Sequence, residues 1–403
     1  MPARNKQDSP DHALRSAALR FVVSIGILSF FADFTYEGAR SIVGPWFAVL
    51  HASAAIVAIV SGLGELLGYG LRLFSGRAAD ATRKFWPIAI LGYFVQMISV
   101  PLLALAANWQ TAAALVILER VGKAIRNPPR DVMLSHAGQQ MGRGWAFGLH
   151  EALDQLGALF GPLLMAFIIA IRGDYRLAFA ALAVPAAICL AVLLIARWMY
   201  PNPEEMERSH RTVPRRGLPR VFWLYLLAAG LVAAGFADYP LIAFHFQRTS
   251  SVSKDFVPVF YAVAMAVSGT GSLVLGRVFD RSGFTVLIVL TVVAALFAPL
   301  VFLGSFWPSL IGMALWGLGM GVQESLIPAA VAPIVPETRR ASAYGMFTAG
   351  YGICWFLGSA AIGLLYQVSV HAAIAFCVAV QLAAVPLLMR VRRAYDSSAR
   401  HGG

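Results

Sequence analysis

The chain is poor in charged residues and in cysteine. Charged side chains make up only 13% of its 403 residues, whereas 59% are hydrophobic, and the mean hydropathy is +0.70. So little polar material could not cover the surface of a water-soluble domain. All three cysteines, Cys189, Cys354 and Cys377, fall within apolar stretches, so we expect neither a disulfide framework nor a zinc site. HExxH, GxSxG and P-loop motifs are also missing, so the sequence predicts no enzyme, no metal centre and no cofactor.

Long apolar runs dominate the sequence instead. A membrane-spanning helix needs about 20 mostly apolar residues. Twelve segments qualify, at about residues 20–50, 53–78, 86–107, 111–137, 145–171, 177–199, 220–247, 256–279, 284–304, 308–335, 342–366 and 370–390. The sequence therefore predicts an all-α membrane protein with twelve transmembrane helices. The first span lacks a small-residue cleavage pattern, so we do not expect it to be a cleaved signal peptide.

The basic residues indicate an orientation in the membrane. The formal net charge is +12, and the basic residues outside the spans fall mainly in every second loop. They include Arg4, Lys6, Arg15, Arg83, Lys84, Arg143, Arg208, Arg211, Arg215, Arg216, Arg281, Arg339, Arg340, Arg392 and Arg393. By the positive-inside rule, these loops and both termini are cytoplasmic. We expect an integral protein of a bacterial inner membrane, and no nucleic-acid partner.

One long polar interruption divides the chain. Residues 201–219, PNPEEMERSHRTVPRRGLP, combine prolines with mixed charges, which is typical of a linker. We therefore predict a cytoplasmic tail at 1–19, a six-helix bundle at 20–200, the cytoplasmic linker, a second six-helix bundle at 220–390 and a cytoplasmic tail at 391–403.

The two predicted bundles share three short motifs in the same order. They are FADF at 31–34 and FADY at 236–239, GxxxD at 76–80 and 276–280, and RGWAFG at 143–148 and RASAYG at 340–345. Gly161 and Gly358 are separated by the same number of residues as the two motifs of the third pair. This repetition predicts two pseudo-symmetric bundles, and transporters built in this way place their substrate site between the halves, near the membrane midplane.

The repeated loop motif resembles a signature of the major facilitator superfamily, G-x-x-x-D-[RK]-x-G-[RK]. Residues 276–283 match its first eight positions, and Phe284 replaces the last basic residue. Residues 76–84 keep the first glycine, the aspartate and the final basic residue of the signature, as Gly76, Asp80 and Lys84. Ala81 and Arg83 replace its inner basic residue and its second glycine. The resemblance extends over essentially the whole chain and implies the twelve-span fold with alternating access.

A second pattern resembles the fifth span of proton-coupled antiporters in the same superfamily. Gly148, Gly157, Gly161 and Pro162 match the spacing G-x8-G-x3-G-P, and Arg120 stands where the fourth span of such antiporters carries a buried arginine. The resemblance implies proton coupling. The residues expected to set helix contacts and gating are Gly76, Asp80, Gly148, Gly157, Gly161, Pro162, Gly276, Asp280, Arg281 and Gly283.

Ionisable residues at membrane depth are concentrated in the first half. Each isolated charge there costs roughly 3 kcal/mol or more, so it persists only against partner charges, protein or a water-filled cavity. The predicted substrate and proton pathway comprises Asp33, Glu37, Arg40, Glu65, Arg72, Glu119, Arg120, Lys123, Arg126, His150, Glu151, Asp154, Asp238 and Glu324. Arg130 and Asp131 are interpreted as an interfacial pair, and His245 as a solvated cap.

These charges favour a secondary transporter. An acid near a base, in a cavity that opens alternately to each side, can bind a proton on one side and release it on the other. We therefore predict proton-coupled efflux of a small organic solute by a monomer in the lipid bilayer.

Several alternatives remain open. In a proton-coupled importer of organic anions, Arg120, Lys123 and Arg126 would bind a carboxylate or phosphate. In a metal-ion exporter, the ligands would be Asp33, Glu37, His150 and Asp154. A membrane sensor or lipid flippase would represent a different class of function.

Cysteine labelling tests the predicted orientation. In a variant without native cysteines, Asn108→Cys should react with a membrane-impermeant thiol reagent from outside the cell. His210→Cys should react only in inside-out vesicles, because the surrounding linker is basic. Labelling of residue 108 from the cytoplasmic side alone would contradict the orientation.

Overall fold

The structure, a computed structural model, describes residues 10–138, 143–201, 218–335 and 340–401, which are helical almost throughout and contain no β-strand. The first half contains α1 (Pro10–Val49), α2 (Ala54–Thr82), α3 (Phe85–Leu102), α4 (Trp109–Gly138), α5 (Arg143–Arg172), α6 (Tyr175–Ala181) and α7 (Ala183–Met199). The second half contains α8 (Arg220–Ala234), α9 (Tyr239–Thr249), α10 (Val257–Ser282), α11 (Phe284–Ala295), α12 (Phe297–Leu303), α13 (Phe306–Gly321), α14 (Ile327–Ala329), α15 (Arg340–Val368) and α16 (Val370–His401). A π-helical segment, Val322–Leu326, joins α13 to α14.

Eleven helical stretches among the described residues are long and apolar enough to cross a membrane. Some consist of two consecutive helices, such as α6 with α7 and α8 with α9. The predicted fourth span, α4, is a helix of 30 residues, but its charges exclude it from the apolar set. It packs against α2 and α3. The all-α membrane fold is confirmed, and the crossing by α4 stays a prediction.

The predicted segment boundaries agree with most helices but not at the chain ends. Helix α1 begins at Pro10, within the predicted tail, and α16 continues to His401, beyond the predicted last span. Most of the predicted linker, residues 202–217, lies outside the described part of the chain. The division into two bundles therefore stays a prediction.

Each half packs its fifth predicted span onto its first at a glycine. A Cβ atom on Gly161 of α5 would lie 2.9 Å from the Gly38 nitrogen on α1. A Cβ atom on Gly358 of α15 would overlap the backbone of Ala234 on α8. Small residues allow such close approach of helices in membranes. The equivalent contacts support the internal repeat found in the sequence.

The two loops that carry the GxxxD motif require a positive φ angle at the same repeat position. Arg83 has φ 53° and Gly283 has φ 56°. Their N–H groups donate to Ala79 O at 2.8 Å and to Phe279 O at 2.7 Å, which closes α2 and α10. Glycine tolerates a positive φ, whereas arginine is strained there. The two residues share only the positive φ: Arg83 has the left-handed helical conformation, with ψ 21°, whereas Gly283 has ψ −138°, a conformation that favours glycine.

The structure describes only some of the other motif residues. The side chains of Asp80 and Asp280 and the surroundings of Gly148 lie outside the described part of the structure. Arg281 is exposed. The gating role of these residues stays a prediction.

The two halves touch at the end of the protein opposite the termini. A Cβ atom on Gly44 of α1 would lie 2.8 Å from the Phe244 nitrogen on α9, and one on Gly62 of α2 would lie 2.7 Å from Ser359 Cβ on α15. Nearer the termini, a Cβ atom on Gly68 or Gly70 would meet no described atom within 4 Å. The glycine contacts therefore close the interface between the halves at the end opposite the termini, and the Tyr69 ring of α2 also packs against the Tyr351 ring of α15, with ring centres 5.7 Å apart.

Alanine substitution tests the contact between α1 and α5. A Cβ atom on Gly157 would lie 2.9 Å from the Phe34 nitrogen, so Gly157→Ala should force the helices apart and cost roughly 1–3 kcal/mol. The matched control Gly68→Ala has free space and should be neutral or stabilising by up to about 1 kcal/mol. Thermal melting of the purified protein compares the two, and equal shifts would contradict the close contact.

Substitution of Arg83 tests the strained loop. Arg83→Gly should raise stability by roughly 1 kcal/mol, because glycine relieves the left-handed strain. Arg83→Ala is the control, since it removes the side chain but keeps the strain. If both variants melt at the same temperature, the backbone conformation is not the cause.

Candidate functional site

A cavity of about 400 Å³ lies between the two halves. Its wall comes from α1, α2, α4 and α5 on one side and from α10, the α13–α14 region and α15 on the other. Its charged residues are Asp33, Glu37, Arg40, Arg72, Lys123, Arg126, Arg130, Glu151, Asp154 and Glu324. Five acids and five bases thus face one polar void.

A compartment of about 50 Å³ continues the cavity toward the closed end. It shares Arg40, Tyr69, Arg72, Lys123, Met320 and Glu324 with the main cavity and adds Tyr36, Glu65, Gly68, Arg120 and Trp355. Four basic side chains therefore face two carboxylates, so the closed end carries a net positive charge.

Helix α4 supplies most of these basic residues, although two prolines interrupt its hydrogen bonding. Pro128 has no N–H group, so the Ala124 carbonyl loses its partner within the helix. The Ser75 hydroxyl of α2 donates to this carbonyl at 2.8 Å. A side chain from a neighbouring helix thus replaces the missing bond, as membrane interiors require. This contact also fixes α4 against α2.

Arg126 is the most deeply buried charged residue among those the structure describes, with 0% of its surface exposed. Its guanidinium donates to Gln96 Oε1 at 2.5 Å, to the Tyr93 hydroxyl at 3.0 Å and to Asp33 Oδ1 at 3.2 Å. The amide of Gln96 in turn donates to Glu119 Oε1 at 2.7 Å. The network joins α1, α3 and α4, and it satisfies the donors of a charge that could not otherwise be buried.

Glu65 on α2 joins two further arginines. Its Oε1 atom lies 2.9 Å from Arg120 Nη2 and 3.3 Å from Arg40 Nη2. Arg40 also donates to the Tyr36 hydroxyl at 3.0 Å. Each of these buried charges therefore has a partner of opposite charge, and the partners come from three different helices.

Two basic residues contact aromatic rings instead of carboxylates. Lys123 Nζ lies 4.0 Å from the centre of the Tyr36 ring, and Arg72 Cζ lies 5.4 Å from that of Tyr69. Neither forms an ion pair with a described residue. Cation–π contacts position these charges but leave their hydrogen-bond donors available.

His150 and Asp154 lie on one face of α5. The ring atom Nε2 is 2.7 Å from the Ser29 hydroxyl, and Nδ1 is 3.6 Å from Asp154 Oδ2. Arg130 also donates to Ser29, at 3.4 Å. The predicted pair between Arg130 and Asp131 is confirmed, with Nη2 2.8 Å from Oδ1.

The same face of α5 offers a possible set of metal ligands. One ligand atom each from His150, Glu151 and Asp154 lies within 4.8 Å of the others. Two features oppose cation binding there. His150 already contacts Ser29, and the guanidinium of Arg130 reaches the same hydroxyl.

The second half places Asp238 away from these cavities. Helix α8 ends at Ala234 and α9 starts at Tyr239, so Asp238 lies in an unwound break, whereas the equivalent Asp33 lies within the continuous α1. Asp238 accepts hydrogen bonds from Trp355 Nε1 at 2.9 Å and Ser359 Oγ at 2.7 Å. It is not among the residues that line the cavities, so its position favours a structural role.

Glu324 of the second half, unlike Asp238, lines the cavities. It lies in the π-helical segment and is exposed to both compartments. Segments of this kind are frequent at functional sites. The halves are also joined in the cavity wall, where the Tyr261 hydroxyl of α10 donates a hydrogen bond to Glu37 Oε2 at 2.5 Å.

Most of the predicted pathway residues converge on these voids. Nine line the main cavity, Glu65 and Arg120 line the small compartment, and Glu119 lines a third void of about 30 Å³. His150 lies behind the wall. The interpretation of His245 as a solvated cap is wrong, because it is buried, with Nδ1 2.7 Å from the Tyr366 hydroxyl.

The sequence prediction missed the two tyrosines whose rings contact Lys123 and Arg72. Tyr36 lies four residues before Arg40, and Tyr69 lies three residues before Arg72, so each pair shares a helix face. This spacing was a usable signal. Arg130 was also missed as part of the cavity wall, because its pairing with Asp131 suggested an interfacial position.

Comparison with known proteins gives the family. A sequence model described as Major Facilitator Superfamily matches residues 25–322 and 240–402. An uncharacterized protein of Mycobacterium tuberculosis (strain H37Rv) is 41% identical over 383 residues, which cover 93% of this chain and 94% of that protein. An uncharacterized MFS-type transporter of Methanocaldococcus jannaschii is 25% identical over 360 residues, covering 86% and 89%.

Solved structures share the fold at low sequence identity. A crystal structure of a POT family transporter in complex with a thioalcohol-conjugated peptide superposes with a TM-score of 0.73 at 11% identity, covering 92% of this chain and 95% of that one. The likeness concerns the fold alone. Together with the family match and the polar cavity between two helical halves, it leads to one conclusion: the chain belongs to the major facilitator superfamily and is a membrane transporter of small molecules, not an enzyme.

Proposed function

We propose that this transporter exports a small charged organic solute in exchange for protons. The observation that carries the proposal is the position of Asp154. It lies on the cavity wall, and its buried Oδ1 atom accepts no hydrogen bond from a described residue. No described lysine or arginine forms an ion pair with it. A carboxylate placed in this way can take up a proton from the open cavity without breaking an ion pair.

Asp33 is the contrasting carboxylate on the same wall. Its Oδ1 atom accepts from Arg126, which is fully buried. Protonation of Asp33 would leave that arginine without its anionic partner, which is costly. We therefore assign Asp33 to positioning Arg126 and Asp154 to carrying the proton.

The packing of α5 supports coupling between protonation and movement. Asp154 lies three residues before Gly157, where α5 touches the backbone of α1. A rearrangement that closes the cavity changes how much water surrounds this contact between α5 and α1. The antiporter-like glycine spacing of α5 favours export over import.

Two other transport functions have some support. The net positive closed end would also suit an importer of organic anions. The cluster of His150, Glu151 and Asp154 would suit a metal-ion exporter, but the nearby Arg130 makes this less favourable. A transport assay that follows proton movement distinguishes these possibilities.

Inside-out vesicles with an acidified lumen provide the test. Addition of an antiported solute should raise the lumenal pH, which a fluorescent probe reports, and Asp154→Asn should abolish this response. Solute exchange without a gradient should persist in the variant, because exchange moves no net proton. Asp174→Asn is the control, since its carboxylate is exposed outside these cavities and an asparagine there can also accept the hydrogen bond from Arg176 N. If no organic solute collapses the gradient, or if the Asp154 variant keeps the full response, the proposed coupling is wrong.

Asp33→Asn should behave differently. Loss of the carboxylate leaves the buried Arg126 without a counter-charge, so stability should fall by roughly 3–5 kcal/mol. Asp154→Asn breaks no ion pair with a described lysine or arginine and should melt close to the wild type. Thermal melting compares the two variants, and equal stability would contradict the roles assigned here.

A further inference from the structure

The charges around the cavity fall into a paired and an unpaired group. Asp33 pairs with Arg126, and Glu65 pairs with Arg40 and Arg120. These contacts bind neighbouring helices of the first half together. Charges used in this way have their partners already and are poor candidates for binding a solute.

Arg72 and Lys123 form the unpaired basic group. Both line the main cavity and the small compartment, and neither has an ion pair among the described residues. The Arg72 Nε atom is buried and donates to no described acceptor. The rings of Tyr69 and Tyr36 hold the two cations in place. An arginine with free donors is suited to a planar carboxylate.

Glu324 is the unpaired acid on the opposite wall. It belongs to the second half, lines the same two voids as Arg72 and Lys123, and forms no ion pair with a described residue. The π-helical segment Val322–Leu326 sets its position. Two cations of one half and one carboxylate of the other therefore face a shared space.

We propose that the transported solute is a zwitterion, with its anionic group bound by Arg72 and Lys123 and its ammonium group bound by Glu324. This inference rests on the proposed transport of a charged organic solute. A zwitterion provides a partner charge for the two cations on one wall and for Glu324 on the other. It therefore links the two halves when the cavity closes. A solute with a single charge would leave either Glu324 or the two cations buried without a partner, which opposes closure.

The cavity dimensions agree with this class of solute. The small compartment, at about 50 Å³, admits only a compact group such as a carboxylate. The adjoining cavity of about 400 Å³ accommodates the rest of a small organic molecule. The aromatic side chains of Tyr69 and Trp355 border the compartment and offer an apolar surface to its body.

Binding measurements on matched probes test the proposal. Each set contains an amino acid, its deaminated carboxylate and its decarboxylated amine: phenylalanine, 3-phenylpropionate and 2-phenylethylamine form one set. Leucine and its two analogues form a second, and alanylphenylalanine and its two analogues form a third. Calorimetric titration of the purified protein at fixed pH gives the affinities. We expect at least one zwitterion to bind ten-fold or more tightly than both of its analogues.

Three variants assign the contacts. Arg72→Gln and Lys123→Gln should each weaken binding of that zwitterion at least ten-fold. Glu324→Gln should remove the preference for the zwitterion over its deaminated analogue while leaving affinity for that analogue unchanged, which also shows that the variant is folded. Arg248→Gln, at an exposed position outside these cavities, is the control and should bind all probes as the wild type does.

The outcomes separate this inference from the proposed function. Tightest binding of a singly charged analogue, no binding of any probe, or unchanged zwitterion affinity in the three variants would overturn the inference. Proton antiport of a singly charged solute would then still support the proposed function. Conversely, a zwitterion that binds as expected but collapses no proton gradient would contradict antiport and leave the solute class intact.

Discussion

The ion pair between Arg126 and Asp33 is the constraint around which the first half is organised. Helix α4 carries six charged residues, and such a helix is unstable against lipid unless its charges face protein or water. Burying Arg126 requires that Tyr93, Gln96 and Asp33 all point at one guanidinium. These partners come from α3 and α1, so the requirement sets the positions of three helices at once.

Close helix contacts make this arrangement possible. A Cβ atom on Gly122 of α4 would lie 2.6 Å from the Gln96 nitrogen of α3, and Gly92 offers the same close approach in return. The short distance between the backbones lets Gln96 reach both Arg126 and Glu119. Glycines on α5 and α15 likewise allow close backbone contact with the first helix of each half. The packing of small residues therefore brings the helices close enough for the buried charges to reach their partners.

The two halves have different chemical roles. The first half contains the paired charges and the basic residues that face the cavity, whereas the second contributes Glu324 and a mainly aromatic and apolar wall. Asp238 illustrates the difference, because its carboxylate is bound by Trp355 and Ser359 of its own half. The interface between the halves is closed at one end by glycine contacts and by the hydrogen bond between Tyr261 and Glu37. Charged side chains, most of them from the first half, line the cavity that lies between the halves.

The sequence by itself determined the fold class, the approximate helix segments and the family resemblance, because hydropathy, loop charge and motif spacing are properties of short stretches of chain. It also singled out the charged residues, since a charge at membrane depth is conspicuous wherever it lies. It did not determine which of them pair. Helical spacing places Lys123 and Arg126 on one stripe of α4, yet one contacts the ring of Tyr36 and the other the carboxylate of Asp33. Only the tertiary structure decided this, because the partner of a buried charge comes from another helix, and the distance between helices depends on how all of them pack together.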